Sequence, residues 1–170
     1  MIQLTSLDFE VRLYMQGKNS KIVEGISRIT YVPPDHSFSS PDNSLIYYVP
    51  EARVGFIFPT QAAPRTPIAA IAWKPTQICL FFLDKTTHIA QWFHTIGGGW
   101  QDTGVRWPAS PSTGIATSIT MVKKVTYIWL YFHGPDGLLQ RVIGSETKGG
   151  PRWTVPQSIP INGQNYSSAQ

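Results

Sequence analysis

Two charged residues near the N-terminus, Arg12 and Glu24, are spaced so that they can act together. They flank a polar turn at residues 17–20, and the alternation of polar and apolar residues on both sides of it predicts a β-hairpin. On neighbouring strands, a guanidinium supplies fixed hydrogen-bond donors and a carboxylate supplies acceptors. Such a pair can hold a polar ligand, or it can be an ion pair that only links two strands.

Cys79 and two histidines are the other residues that could carry out chemistry. Cys79 is the only cysteine, so no disulfide within the chain is possible, and its apolar neighbours predict a buried, unreactive thiol. His88 and His94 are six residues apart, which places both on one face of a strand. A metal ion would need a third ligand, and since Asp84 is better explained as a turn residue, we predict no metal site.

Sequence motifs for catalysis are missing from the chain. There is no nucleophile motif and no phosphate loop, and the glycines at 97–99 precede a strand instead of a helix, so they do not form a dinucleotide fingerprint. The inner strands also lack closely paired carboxylates for glycoside hydrolysis. We therefore expect no catalytic residues and no cofactor, and the simplest interpretation is a protein without enzymatic activity.

Charge and hydropathy argue against two classes of partner. The net charge of +4 is spread along the chain without the basic stripe that nucleic-acid binding requires. No apolar stretch is long enough to cross a bilayer, so we expect no membrane partner. Residues 1–16 alternate polar and apolar side chains and lack the apolar core of a signal peptide, which predicts a cytoplasmic or non-classically secreted protein.

An internal repeat organises the sequence. Residues 11–16, 78–83 and 128–133 share the order of an aliphatic residue, a variable residue, a leucine and an aromatic residue. A polar turn and a second strand follow each segment. Counted from the variable position, a Glu or Gln follows after 12, 12 and 11 residues, which gives the pairs Arg12–Glu24, Cys79–Gln91 and Trp129–Gln140. This repeated spacing indicates three copies of one supersecondary unit.

The second and third copies extend to four strands each. A run of small and β-branched residues precedes each of them, at 67–73 and 114–119, and a glycine turn followed by Trp100 or Trp153 comes after. Four short antiparallel strands joined by hairpins form the blade of a β-propeller, and such blades stack because one blade cannot cover its own two faces. We predict an all-β protein, a β-propeller of four-stranded antiparallel blades with about three blades per chain.

The first copy is irregular, and residues 30–66 have two interpretations. They contain a possible hairpin, with strands at 45–49 and 54–58 around a turn at 50–52, which could be an outer strand with an insertion or a degenerate partial blade. Since three blades do not close a ring, we expect a homodimer that completes a six-bladed toroid. The propeller domain would span residues 1–161, followed by a polar tail at 162–170.

The repeat resembles the blades of the fungal fucose-specific lectins, a family of six-bladed β-propellers. In that family a small-aliphatic strand precedes an I-R-V-Y-Y strand, a D-G turn, an I-x-E strand and a G-G-W segment. The three copies match this frame over about two-thirds of the chain. The resemblance implies that an Arg on the second strand and a Glu on the third hold sugar hydroxyls, while an aromatic ring of the neighbouring blade stacks on the sugar.

Only the first copy keeps both polar residues of that motif, as Arg12 and Glu24. By resemblance the stacking ring would be Trp92 or Trp100, so these four are the candidate ligand-binding residues. The second and third copies lack the Arg–Glu pair, which leaves at most one intact fucose-type site per chain.

Two functions are compatible with these patterns. The first is a carbohydrate-binding lectin, with fucosylated glycans as the expected ligands and no catalysis. The alternative is a repurposed lectin fold, since Cys79 and Trp129 in place of Arg make two pockets more apolar, as a small hydrophobic metabolite would require. Such a protein could orient its ligand for a cyclisation or isomerisation that depends mainly on positioning.

Overall fold

A computed structural model describes residues 7–31, 46–73, 77–95, 97–147 and 150–160. Its strands are β1 (Leu7–Gln16), β2 (Lys21–Tyr31), β3 (Ile46–Gln61), β4 (Ile68–Trp73), β5 (Gln77–Leu83), β6 (His88–Thr95), β7 (Gly99–Pro108), β8 (Ile115–Val122), β9 (Val125–His133), β10 (Leu139–Ser145), β11 (Arg152–Trp153) and β12 (Gln157–Ser158). None of these described segments contains a helix long and apolar enough to cross a membrane. The predicted tail at 162–170 lies outside the described residues.

The strands form three antiparallel sheets in two compact units. Unit 1 covers residues 1–61 and holds a sheet with the order β1-β2-β3. Unit 2 covers residues 62–170 and holds a sheet with the order β4-β5-β6-β7 and another with the order β11-β10-β9-β8, in which β12 also pairs with β10. The predicted all-β architecture of four-stranded antiparallel repeats is therefore confirmed. Within the described residues, the first copy has no counterpart of the leading strands β4 and β8.

The hairpins of the three copies share one turn geometry. In each turn the backbone N–H of the first residue donates to the carbonyl oxygen of the residue four positions later. The backbone N–H of the fourth residue donates to the carbonyl oxygen of the first, and all these distances lie between 2.8 and 3.1 Å. The backbone at the fourth position is left-handed in each case, with a φ of 59° at Ser20, 59° at Thr87 and 75° at Gly137. Equal turns give the three hairpins equal register.

That register corrects the alignment of the third copy. The residues opposite Tyr14, Phe81 and Tyr131 are Glu24, Gln91 and Arg141. The prediction that Gln140 takes this place was wrong by one residue, because Gln140 pairs with Phe132 and therefore points to the other face of the sheet. Leu138, which looks like a strand residue in the sequence, belongs to the turn: its carbonyl oxygen accepts the N–H of Gly134.

The expected hairpin within residues 45–58 is also wrong. β3 runs without interruption from Ile46 to Gln61 and pairs with β2 along its length. Val49 lies opposite Arg28 and Arg53 lies opposite Ile26, so residues 50–52 bulge out of the ladder instead of reversing the chain. Pro50 has no N–H to donate to a ladder, and a bulge is one of the places where a strand accepts proline. Of the two interpretations of this segment, the outer strand is the correct one.

The core of unit 2 lies between its two sheets. β9 alternates between buried and partly exposed residues, and its buried side chains join those of β5, β6 and β7 in one cluster. Aromatic rings make the contact: the centroids of Trp107 and Phe132 are 6.4 Å apart, and those of Phe81 and Trp153 are 5.7 Å apart. Each sheet thus covers an apolar face of the other, as the stacking of blades requires.

Removal of one ring from this interface tests its importance. We expect Phe132→Ala to lower the free energy of unfolding by about 3–5 kcal/mol, because Phe132 is 1% exposed and its loss leaves a cavity between the sheets. Urea denaturation followed by tryptophan fluorescence measures the change. Leu138→Ala is the matched control, since Leu138 is 51% exposed and should shift stability by less than about 0.5 kcal/mol. Equal effects of the two substitutions would contradict this packing.

Candidate functional site

Arg12 and Glu24 meet on one face of the sheet in unit 1. The Arg12 Nη1 donates to Glu24 Oε1 at 2.8 Å, and the Tyr14 hydroxyl donates to the same oxygen at 3.2 Å. The pairing of Tyr14 with Glu24 across β1 and β2 places these side chains together, because residues two apart on a strand share a face. The Glu24 side chain is 2% exposed and that of Arg12 is 21% exposed, so the carboxylate is buried while part of the Arg12 side chain reaches the surface.

β3 closes the site around the Glu24 carboxylate. Phe56 lies opposite Glu24, and the Phe56 ring packs edge-on against that of Phe58, with 4.9 Å between the ring centroids. A Cβ on Gly55 would lie 2.6 Å from Glu24 Oε2, so a larger residue at this position would force the buried carboxylate to shift. Burial, reinforced by the charge of Glu24, raises the pKa of the Tyr14 hydroxyl above its usual range, which keeps it a hydrogen-bond donor.

In the second copy the same position is filled by a buried network without charge. The Gln91 Nε2 donates to Cys79 Sγ at 3.3 Å, and both residues are fully buried. Gln91 Oε1 accepts from the Trp153 indole at 2.9 Å and from the Thr103 hydroxyl at 3.1 Å. The Trp153 ring lies against β10, where a Cβ on Gly144 would lie 2.8 Å from it. A side chain of the third copy therefore occupies the polar position of the second.

In the third copy the position carries a positive charge. Trp129 stands where the first copy has Arg12, and Arg141 stands where it has Glu24. The Cζ atom of Arg141 lies 5.4 Å from the centroid of the Trp129 ring, within the range of a cation–π contact. The Arg141 Nη2 also donates to Gln157 Oε1 at 3.3 Å. The sequence contains a signal for this pair, the spacing of twelve residues, once the turn is aligned correctly.

The two tryptophans implied by the resemblance, Trp92 and Trp100, both lie in unit 2. Trp92 is 5% exposed on β6, so most of its ring area is inaccessible to a ligand. Trp100 on β7 is partly exposed, and its ring packs edge-on against that of His94, with 5.2 Å between the ring centroids. Their role as stacking rings stays a prediction. The structure shows instead that Tyr14 accompanies the Arg12–Glu24 pair, a residue that its position two after Arg12 could have indicated.

The two histidines on β6 contact neighbouring side chains and backbone. His94 contacts Trp100, and His88 Nδ1 lies 2.8 Å from the carbonyl oxygen of Thr86. Asp84 acts as the expected turn residue, since its Oδ1 accepts from the N–H groups of Thr86 and His88. Within the described residues, no group of three or more His, Cys, Asp or Glu side chains is placed to hold a metal ion.

A shallow groove of about 640 Å³ lies beside the network of the second copy. Val105, Trp107 and residues 151–156 line it, and Arg152 is its charged member. The lining is mostly apolar and aromatic. The indole of Trp153, which lines the groove, donates a hydrogen bond to Gln91.

Solved structures of fungal lectins match this chain in fold. They include AofleA from Arthrobotrys oligospora, which matches with a TM-score of 0.63 and 21% identity over 89% of this chain and 38% of that one. The lectin SapL1 in complex with α-methyl fucoside matches with a TM-score of 0.60 and 22% identity over 90% of this chain and 49% of that one. The Aleuria aurantia lectin in complex with Fucα1-6GlcNAc also matches (0.59, 18%, 91% and 41%). A further structure of the Aleuria lectin is described as a six-bladed β-propeller with a novel mode of fucose recognition (0.53, 17%, 92% and 61%).

The fold of the chain is thus that of part of a six-bladed β-propeller lectin, as the repeat predicted. The chain spans less than two-thirds of the length of each of these four structures. No protein-family model matches the sequence, and no curated protein matches it. At identities of 17–22% the likeness concerns the fold, and the site must be judged from its own residues.

The Cys79–Gln91 contact yields a prediction about pH. Burial raises the pKa of the Cys79 thiol to about 12, although the hydrogen bond from Gln91 opposes the shift. An unfolded thiol loses its proton at about pH 8.5, whereas the folded one keeps it. The contribution of the Cys79 thiol to the free energy of unfolding is therefore fully present below about pH 8.5 and is lost as the pH rises from there toward about 12.

Urea midpoints measured across this pH range, for the native chain and for Cys79→Ala, report the effect. The native chain should lose more stability with rising pH than the variant, and its thiol should react with an alkylating reagent only after unfolding. A native thiol that reacts as fast as free cysteine would contradict the burial of Cys79.

Proposed function

We propose that the protein is a carbohydrate-binding lectin that recognises fucosylated glycans through Arg12 and Glu24. The contact between the Arg12 guanidinium and the Glu24 carboxylate carries the proposal, because its residues match the Arg–Glu pair implied by the resemblance. The fold adds support, since two of its structural neighbours are described in complex with fucosides. The first copy holds the one Arg–Glu pair of this spacing among the three copies, so we expect one such site per chain.

The arrangement of the pair suits a ligand that brings hydroxyl groups. Arg12 and Tyr14 both donate to the Oε1 atom of Glu24, so its carboxylate is oriented before any ligand arrives. The guanidinium has five N–H donors, and with its side chain 21% exposed it can offer donors to sugar oxygens. The opposite charges of the pair cancel, which favours a neutral sugar.

Titration of the full chain with methyl α-L-fucoside tests this function. We expect binding that weakens by about tenfold or more in Arg12→Lys, because lysine keeps a positive charge near Glu24 but loses the planar fork that binds two oxygens. Arg12→Ala should abolish binding, and it should also destabilise the fold by about 3–5 kcal/mol because the buried Glu24 carboxylate loses the guanidinium with which it forms an ion pair. Isothermal titration calorimetry gives the affinities, and circular dichroism verifies that each variant is folded.

Lys18→Ala is the matched control, since it removes an exposed positive charge from the turn of the same hairpin. It should bind methyl α-L-fucoside as the native chain does. No binding at millimolar sugar, or equal binding by native chain and Arg12→Lys, would refute this site.

We also propose that two copies of the chain assemble head to tail into one propeller. The outer face of the sheet in unit 1 is apolar and exposed: Leu13 is 55%, Met15 52%, Val54 67% and Ile57 50% exposed. The ladder aligns these residues in two rows, from Leu13 through Gly25 to Val54 and from Met15 through Val23 to Ile57. Monomeric proteins seldom expose so continuous an apolar surface.

The register identifies what should cover that face. Leu13 and Met15 correspond to Leu130 and Phe132, which are at most 1% exposed because they pack on the sheet of the second copy. The face of unit 1 is therefore of the kind that receives a preceding blade. A second copy of the chain can supply it from the outer face of its third copy, where Tyr127 and Tyr131 are only partly buried.

Light scattering coupled to size exclusion measures the assembly. We expect the native chain to be a dimer and Met15→Lys/Ile57→Lys to be a folded monomer, because burying two uncompensated charges opposes association. Val155→Lys places a lysine at another exposed apolar residue, 75% exposed, and should leave the dimer intact. A monomeric native chain, or a dimer that survives the double substitution, would refute the proposed interface.

One observation favours a second function, the binding of a small hydrophobic metabolite. The groove beside Trp107 and Trp153 is apolar and aromatic, as the repurposed lectin fold would require. The absence of fucoside binding in the titration above, together with a fluorescence change of these tryptophans on addition of an apolar molecule, would favour this alternative over the lectin.

A further inference from the structure

The third copy holds a half-buried positive charge at the position that corresponds to Glu24. Arg141 is partly exposed, and within the part of the chain that the structure describes no carboxylate forms an ion pair with it. Its Nε is buried and has no hydrogen-bond partner there, and its one hydrogen bond goes from Nη2 to the neutral Gln157 amide at 3.3 Å. A guanidinium removed from water without an anion is costly, so a ligand that brings an anion would be favoured.

We propose that Arg141 and Trp129 form a second binding position, selective for a sugar that carries a carboxylate. The carbohydrate part of this proposal rests on the proposed lectin function, whereas the selectivity for an anion rests on the charge of this position alone. The sugar carboxylate would pair with the free edge of the Arg141 guanidinium. The indole of Trp129 holds the guanidinium in place from its face.

The difference in charge between the first and third copies determines the selectivity. In the first copy Arg12 forms an ion pair with Glu24 at 2.8 Å, so the charges of these two residues neutralise each other. In the third copy a neutral indole replaces the guanidinium and a guanidinium replaces the carboxylate, so the position carries one positive charge. A neutral sugar would leave that charge uncompensated, and a carboxylate would neutralise it. The same β-hairpin frame would thus present two different ligand preferences in one chain.

The experiment compares three ligands on the full chain: glucuronate, its uncharged methyl ester and acetate. We expect glucuronate to bind at least about tenfold more tightly than the methyl ester, with an affinity that falls as salt is added. We also expect it to bind more tightly than acetate, because the sugar ring adds contacts. Equal binding of glucuronate and its methyl ester would overturn the proposal, and equal binding of glucuronate and acetate would overturn its sugar part.

Variants locate the binding and separate this proposal from the lectin proposal. Arg141→Gln should abolish glucuronate binding, and Arg141→Lys should retain part of it, while both keep the affinity for methyl α-L-fucoside. Lys124→Gln removes an exposed positive charge from the turn between β8 and β9 of the same sheet and should change neither affinity. Undiminished glucuronate binding by Arg141→Gln overturns the proposal.

The combination of fucoside and glucuronate results distinguishes the Arg12 site from the Arg141 position. Fucoside binding without glucuronate binding overturns the Arg141 position and leaves the Arg12 site standing. Glucuronate binding that depends on Arg141, without fucoside binding, supports this proposal and overturns the fucose site. Light scattering on each variant verifies that its oligomeric state equals that of the native chain, so that a lost interface is not taken for a lost ligand contact.

Discussion

The structure depends on apolar packing between neighbouring sheets. A four-stranded sheet with apolar side chains on both faces cannot bury them alone. In unit 2 the sheets of the second and third copies pack against each other and bury these side chains between them. Across this interface the Trp107 ring contacts the rings of Phe132 and Trp153. The alternation of buried and partly exposed residues along β9 follows from it, because one face of that strand meets the neighbouring sheet and the other does not.

The same packing defines where a functional position can occur. The shared turn fixes the register of each hairpin, and the register brings residues twelve apart in the sequence onto one face. The frame does not specify which residues stand there, and the three copies carry an ion pair, a buried thiol with an amide, and an indole with a guanidinium. Function at this position is thus decided by side-chain chemistry on a common backbone.

Much of the fold could be predicted from the sequence, because hairpin turns and strand alternation are local patterns. The Arg12–Glu24 contact could be predicted for the same reason, since a single turn separates the two residues. Two errors also have local causes: Leu138 is apolar although it belongs to a turn, and residues 50–52 look like a turn although they form a bulge.

The network around Gln91 could not be predicted. Trp153 is sixty-two residues further along the chain, and nothing in the local sequence states which blade its indole will contact. Arg141 could not be predicted for a different reason, since the pattern of the lectin family has Glu at this position and not a residue of opposite charge. Interactions between blades depend on tertiary packing, and a repeat pattern does not contain that information.

The hydrogen bond between Gln91 and Trp153 has a consequence for how the chain folds. Repeats that resemble one another can dock in the wrong order, and misassembly of this kind is a characteristic failure of repeat proteins. The buried amide oxygen of Gln91 accepts from the indole of the third copy as well as from Thr103, and a mismatched neighbour would remove the indole donor from this buried contact. A polar contact inside an apolar interface thus helps each blade distinguish its proper neighbour from a similar one.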